Sequence, residues 1–221
     1  MEYTNKIHEL GMKYESDKIT HHKYHEIYDF FLKPFYHTKG SLLEIGINTG
    51  NSLKMWLELF PNAFIYGMDI NVSDNNERFN IIKGDQSSII DLTNLKTTIG
   101  NDLFFINDDG SHIPEHQLLT FNTLFPCLRE GGVYIIEDIE TSYWTRGGLY
   151  GYDTRYGYKH LKSIIEIFKD VIDSINSEFA GTHENAVEHT YMIGNITFHR
   201  NCIIIVKKTQ DSRPYRFSHF L

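Results

Sequence analysis

Leu42-Leu43-Glu44-Ile45-Gly46-Ile47-Asn48-Thr49-Gly50 is a short apolar run that enters a loop bracketed by two glycines, followed by a segment rich in large apolar residues over 52–59. A strand, a glycine turn and a helix in that order are the opening unit of a doubly wound α/β sheet, whose ligands sit at the carboxyl ends of the strands. Glycine matters in such a turn because it lets the backbone come close to a ligand. The spacing is G-x-x-x-G with Asn48 in the middle, not the G-x-G-x-x-G of dinucleotide sites.

Outward from this unit the same pattern repeats. Apolar runs at 64–68, 80–82, 103–106 and 133–136 alternate with amphipathic stretches such as 116–125, which predicts right-handed βαβ crossovers and parallel strands. The tail breaks the alternation. Runs at 191–198 and 202–207 meet at Arg200-Asn201 and read as an antiparallel hairpin. The expected fold class is therefore α/β and Rossmann-like, a mostly parallel seven-stranded sheet with a C-terminal antiparallel hairpin. Ahead of it, Tyr24, Ile27, Tyr28, Phe31 and Leu32 recur at helical spacing until Pro34. Residues 1–40 are read as a short N-terminal helical cap and 41–221 as the main domain.

Composition narrows the function. The 221 residues carry 29 acidic and 21 basic side chains, a net charge of −8, with 41% apolar and 23% charged residues. That is a globular chain, and its acidity argues against nucleic acid as a partner, since phosphate binding depends on clustered Lys and Arg. Cys127 and Cys202 are too few for a disulfide scaffold. The polar N-terminus and the absence of eighteen consecutive apolar residues predict no signal peptide and no membrane span, so a cytoplasmic protein is expected.

The strand ends carry the chemistry. Glu44 stands just before the first glycine, where a carboxylate would repel a pyrophosphate and attract a cationic ligand. Asp69 closes the second strand at a distance suited to ribose hydroxyls, and Asp85-Gln86 follow the third, suited to an adenine edge. This set favours S-adenosylmethionine over NAD. Asn107-Asp108-Asp109-Gly110-Ser111-His112 follows the fourth strand and Glu137-Asp138-Ile139-Glu140 the fifth. Carboxylates crowded into one crevice repel unless a cation or proton lies between them. Helix capping would account for one or two of them only. Hard oxygen donors point to Mg²⁺, or to Mn²⁺ or Ca²⁺, rather than structural zinc, with Asp109, Glu137 and Asp138 as ligands, and His112 as a base for a substrate hydroxyl. The aromatic, glycine-rich stretch from Tyr143 and Trp144 to Tyr152 reads either as an acceptor-binding lid or as a packing cluster.

Ser16-Asp17-Lys18, LLEIGINTGNSLKMW, FPNAFIYGMDI, KGDQ, NDDGSH and GGVYIIEDIETSYW together resemble the metal-dependent class I S-adenosylmethionine methyltransferases related to the macrolide sugar O-methyltransferases. The resemblance spans about residues 14–144. It implies the class I methyltransferase fold, Mg²⁺ on Asp109, Glu137 and Asp138, and His112 as general base. It also implies a cofactor site lined by Glu44, Gly46, Thr49, Gly50, Ser52, Asp69, Asp85, Gln86, Asp108 and Asp109, with Tyr143 and Trp144 facing the substrate. The implied reaction is methyl transfer to a hydroxyl of a sugar-containing small molecule or glycan. Asn107 departs from the apolar residue expected there, and the cap stands where the macrolide enzymes carry a larger N-terminal domain. A small homo-oligomer is compatible with the sequence. The competing readings are a cephalosporin-hydroxylase-like protein, a non-catalytic methyltransferase-like binding module, and a nicotinamide oxidoreductase, which Glu44 and the missing middle glycine disfavour.

Overall fold

A computed structural model describes residues 5–148, 151–176, 179 and 186–209. Three short helices, α1 (Lys6–Lys13), α2 (Asp17–Thr20) and α3 (His25–Leu32), precede the first strand, and a 3₁₀ turn containing Pro34 ends α3. The remainder alternates as β1 (Gly40–Ile45), α4 (Asn51–Leu59), β2 (Ala63–Asp69), β3 (Asp74–Asn75), β4 (Phe79–Lys83), α5 (Ile89–Ile99), β5 (Leu103–Asp108), α6 (Pro114–Leu124) and β6 (Leu128–Glu137). It closes with α7 (Ile164–Ile175), β7 (Ile193–His199) and β8 (Cys202–Lys207).

One sheet results, ordered β3-β4-β2-β1-β5-β6-β8-β7. β4, β2, β1, β5 and β6 run parallel, and β8 and β7 add the antiparallel hairpin on the β6 edge. The expected seven strands become eight, because two residues, Asp74 and Asn75, pair antiparallel with β4. So short a strand has no periodicity to read. The first strand of the hairpin starts at Ile193, not at 191, since Thr190–Met192 form a 3₁₀ turn. α5 fills the helical interval that the alternation implies between 82 and 103, whereas α7 occupies a segment to which the sequence pattern had assigned no element.

The pleat distributes each strand between two cores. Leu43, Ile106, Tyr134 and Ile205 join α5, α6 and α7 on one face. Leu42, Phe105, Ile135 and Ile204 join α1, α3 and α4 on the other, where Tyr24, Tyr28 and Trp56 are fully buried. Successive side chains point to opposite faces of a strand. Glu44, Asn107 and Glu137 share parity with Leu42, Phe105 and Ile135, so they face the side covered by the N-terminal helices. Asp108 has the parity of Ile106 and faces the other core. Strand order switches between β1 and β5, and the crevice that opens there at the carboxyl ends is the expected ligand position.

Candidate active site

At this switch point a cavity of about 830 Å³ is lined by residues at the carboxyl ends of β1, β2, β5 and β6 and from the N-terminal segment. Its first wall is the glycine loop. Gly46 has φ +85°, and a Cβ there would lie 2.0 Å from the carbonyl oxygen of Asp109, so only glycine lets the β1 and β5 loops meet. Gly50, at φ +74°, turns the chain into α4 without lining the cavity, whereas Thr49 and Ser52 do line it. Asp69 ties the loop down. Its carboxylate accepts from the N–H groups of Ile47, Asn48, Asn71 and Val72 at 2.7–3.0 Å. Partial burial raises its pKa, but these four donors outweigh burial and hold it below the usual carboxylate range.

A smaller recess of about 140 Å³ adjoins, lined by Asp69, Gly84, Asp85, Gln86, Gly110 and Ser111 among others. The Gln86 amide donates to Asp108 at 2.6 Å and its oxygen accepts from the Ser111 N–H at 2.8 Å. Asp108 itself is wholly buried and also accepts from Tyr134, with burial pushing its pKa up to about 7. Asp108 therefore braces the loop from within rather than touching the cavity.

The acidic set divides by direction. Asp109, His112 and Asp138 each present one ligand atom, all within 4.8 Å of one another, on the cavity floor. Each aspartate has one oxygen anchored and one turned to the histidine. Asp138 Oδ1 accepts from Tyr24 at 2.9 Å and Asn201 at 3.0 Å, while Oδ2 lies 3.8 Å from His112 Nε2. Asp109 Oδ2 is held by Lys18, while Oδ1 lies 3.9 Å from the same nitrogen. Burial, then the neighbouring carboxylates of Glu137 and Glu140, push the Asp138 pKa up to about 7. Burial, reinforced by the positive Lys18, lowers His112 to about 4 and keeps the imidazole neutral. Two hard oxygens and an excess of buried negative charge fit a divalent cation, with the neutral imidazole beside it.

Glu44 and Glu137 do not join that floor. Glu44 is fully buried and accepts from Ser52 at 2.8 Å and Trp56 at 3.0 Å. Glu137 accepts from Tyr28 and, at 2.7 Å, from Asn107. The two share a buried cation with Asp109. Lys18, itself fully buried, places its ammonium 2.9 Å from Glu137, 3.4 Å from Glu44 and against Asp109. The expectation that a positive charge separates these carboxylates is met on the inner side by a lysine. Glu44, expected to attract a sulfonium, is spent on this internal cluster, and Glu137, expected as a metal ligand, turns toward Lys18 because of the β6 pleat. Asn107, out of place by the family pattern, donates to both carboxylates.

His112 and Asp138 both adopt left-handed backbone conformations, φ +55° and +52°. Such strain in non-glycine residues concentrates at functional sites. On the far wall, Trp144 and Tyr152 line the cavity with rings 5.8 Å apart, and Tyr152 packs edge-on to His112 at 5.0 Å. Tyr143 points away, half exposed and stacked on Tyr158. Leu149 and Tyr150 of the same stretch lie outside the described residues.

The chain is similar to known proteins in sequence and in fold. An 8-demethyl-8-alpha-L-rhamnosyl tetracenomycin-C 2'-O-methyltransferase of Streptomyces olivaceus is 33% identical over 215 residues, 91% of this chain and 54% of that protein. The chain has the class I methyltransferase fold and is similar over most of its length to sugar O-methyltransferases. Demethylmacrocin O-methyltransferase of Streptomyces fradiae, another relative, is 34% identical over 182 residues, 78% of this chain and 45% of that protein. The solved structure of the MycE methyltransferase of the mycinamycin pathway, in complex with Mg and SAH, superposes with a TM-score of 0.82 at 27% identity, covering 99% of this chain and 59% of that one. The chain thus spans about half the length of the curated relatives it matches. No family model matches the sequence.

Four residues of the site were not singled out in the sequence. Lys18 was visible only as part of Ser16-Asp17-Lys18, with nothing nearby to mark it as buried. Tyr152, not Tyr143, supplies the second aromatic wall. His22 and Glu140 also line the cavity, His22 lying 3.4 Å from Asp138. Among the described residues no helix is long and apolar enough to cross a membrane.

Proposed function

We propose that this chain transfers a methyl group from S-adenosylmethionine to a hydroxyl of a sugar-bearing acceptor. One observation carries the reading: Asp109, His112 and Asp138 converge between the glycine loop and the Trp144–Tyr152 wall of a single cavity. The glycine loop with Asp69 and the recess at Asp85 and Gln86 suit the cofactor. Asp109 and Asp138 suit a divalent cation, which when bound lowers the pKa of an acceptor hydroxyl and fixes its orientation. Trp144 and Tyr152 offer flat apolar faces to a sugar ring, which matches the rhamnosyl acceptor in the tetracenomycin relative's name. His112 Nε2, neutral and aimed at the floor, takes the hydroxyl proton as the oxygen approaches the methyl carbon. The buried walls hold the reactants in line and keep water away. Residues 1–40 are read as a cap that completes this crevice and 41–221 as the methyltransferase domain.

The test is methyl transfer from radiolabelled S-adenosylmethionine to a panel of rhamnosides, deoxyhexosides and hexosides, with and without EDTA. Label in a glycoside, lost with EDTA and in His112→Ala, supports the reading. Full turnover in His112→Ala removes the base assignment, and transfer indifferent to EDTA removes the metal.

A further inference from the structure

The proposed base and the proposed acceptor wall lie on different loops, and one buried residue joins them. Thr141, fully buried in the 3₁₀ turn after Asp138, donates its hydroxyl to the backbone carbonyl of His112 at 2.6 Å. The carbonyl of the same residue accepts the N–H of Trp144 at 3.2 Å and the hydroxyl of Thr154 at 2.8 Å. Thr154 is 1% exposed and sits two residues beyond Tyr152, whose ring rests on the His112 ring.

His112 holds a left-handed backbone, φ +55°, which costs energy in a residue with a side chain and so depends on the contacts around it. Among the described residues the Thr141 hydroxyl is the hydrogen-bond donor to its carbonyl. Buried hydroxyls of this kind act through geometry, because an unmade bond leaves a dry carbonyl unsatisfied. We infer that Thr141 is a positioning residue, the joint through which the Trp144–Tyr152 wall sets the backbone and ring orientation of His112, with Thr154 as its outer anchor. An acceptor sugar pressing on that wall then adjusts the base in the same motion. This rests on the proposed function for its purpose but not for its geometry, and its test needs no acceptor.

The experiment is amide hydrogen exchange on the full chain, read in peptides covering 110–114, together with the NMR signals of the His112 ring. Thr141→Val, which keeps shape and removes the hydroxyl, is expected to speed exchange there about tenfold and to shift the ring signals as the Tyr152 contact loosens. Thr141→Ser restores both. Thr154→Val shifts both in the same direction although it touches neither His112 nor the metal ligands. In the double valine variant exchange at 110–114 is no faster than in Thr141→Val, because the Thr154 hydroxyl bonds Thr141 and not the His112 backbone. Should Thr141→Val fail to fold, Thr154→Val and Thr141→Ser still decide the matter. Unchanged exchange at 110–114 in the folded valine variants, or a serine variant as fast as the valine, overturns the inference. A silent acceptor panel would instead count against methyl transfer and leave this result standing.

Discussion

Lys18→Met removes the ammonium that three buried carboxylates share and keeps most of its packing volume. The charge lies 2.9 Å from Glu137, 3.4 Å from Glu44 and in contact with Asp109, with the lysine and both glutamates essentially inaccessible. Deleting one partner of a buried ionic cluster typically costs about 3–5 kcal/mol. The penalty is capped by proton uptake. A carboxylate that loses its buried cation can take up a proton instead of remaining as an unpaired charge. The hydrogen bonds from Ser52, Trp56, Tyr28 and Asn107 persist, so a loss of about 3–4 kcal/mol at pH 7.5 is expected. For a chain of this length that lowers Tm by about 6–16 °C. The sign with pH follows. Burial holds Glu44 and Asp109 above the ordinary range even beside Lys18, and removing the lysine raises them further. Groups raised on folding stabilise at low pH and lose that contribution as pH rises, so the deficit shrinks between pH 7.5 and 5.5. Urea unfolding followed by far-UV circular dichroism in EDTA at both pH values measures it. A variant within 1 kcal/mol of the parent at pH 7.5, or a deficit that grows on acidification, refutes the reasoning.

Gly46→Ala forces a Cβ to 2.0 Å from the Asp109 carbonyl at a positive φ, so the β1 and β5 loops must separate; cofactor affinity by calorimetry should fall at least tenfold, and unaltered affinity would contradict the packing. Tyr152→Ala should raise the acceptor KM about tenfold, while Tyr143→Ala, whose ring stacks outside the cavity, should stay within twofold in the same kinetic series. Trp56→Phe leaves a buried Glu44 oxygen without its indole donor and should cost about 1–3 kcal/mol in urea unfolding. Asp138→Asn should abolish binding of one equivalent of Mn²⁺ in calorimetry with the melting temperature kept or raised, since it removes one of several mutually repelling buried charges.

Where the acids sit was legible; which way they point was not. The strands could be found because Leu42–Leu43, Phe104–Phe105–Ile106 and Tyr134–Ile135–Ile136 are buried on both faces and read as unbroken apolar runs. Gly46 and Asp69 could be found because they close those runs at the expected interval. Orientation depends on what covers each face, and the covering residue Lys18 lies 91 positions from Asp109 in sequence. Without knowing that α2 and α3 seal one side, Glu44 and Glu137 look as available as Asp138. The left-handed turns at His112 and Asp138 have a similar effect, aiming both side chains at one point that no residue pattern announces. Tyr143 and Tyr152 differ only by the fold of the loop between them, so composition alone could not choose.

The central claim is that one crevice holds S-adenosylmethionine beside a divalent ion on Asp109 and Asp138. Isothermal titration of S-adenosylhomocysteine and of Mn²⁺ into the purified, EDTA-stripped chain tests it most directly. One equivalent of each should bind, the Mn²⁺ heat disappearing in Asp138→Asn while the nucleoside heat remains. No heat from S-adenosylhomocysteine at millimolar concentration, or Mn²⁺ binding undiminished in that variant, would contradict it.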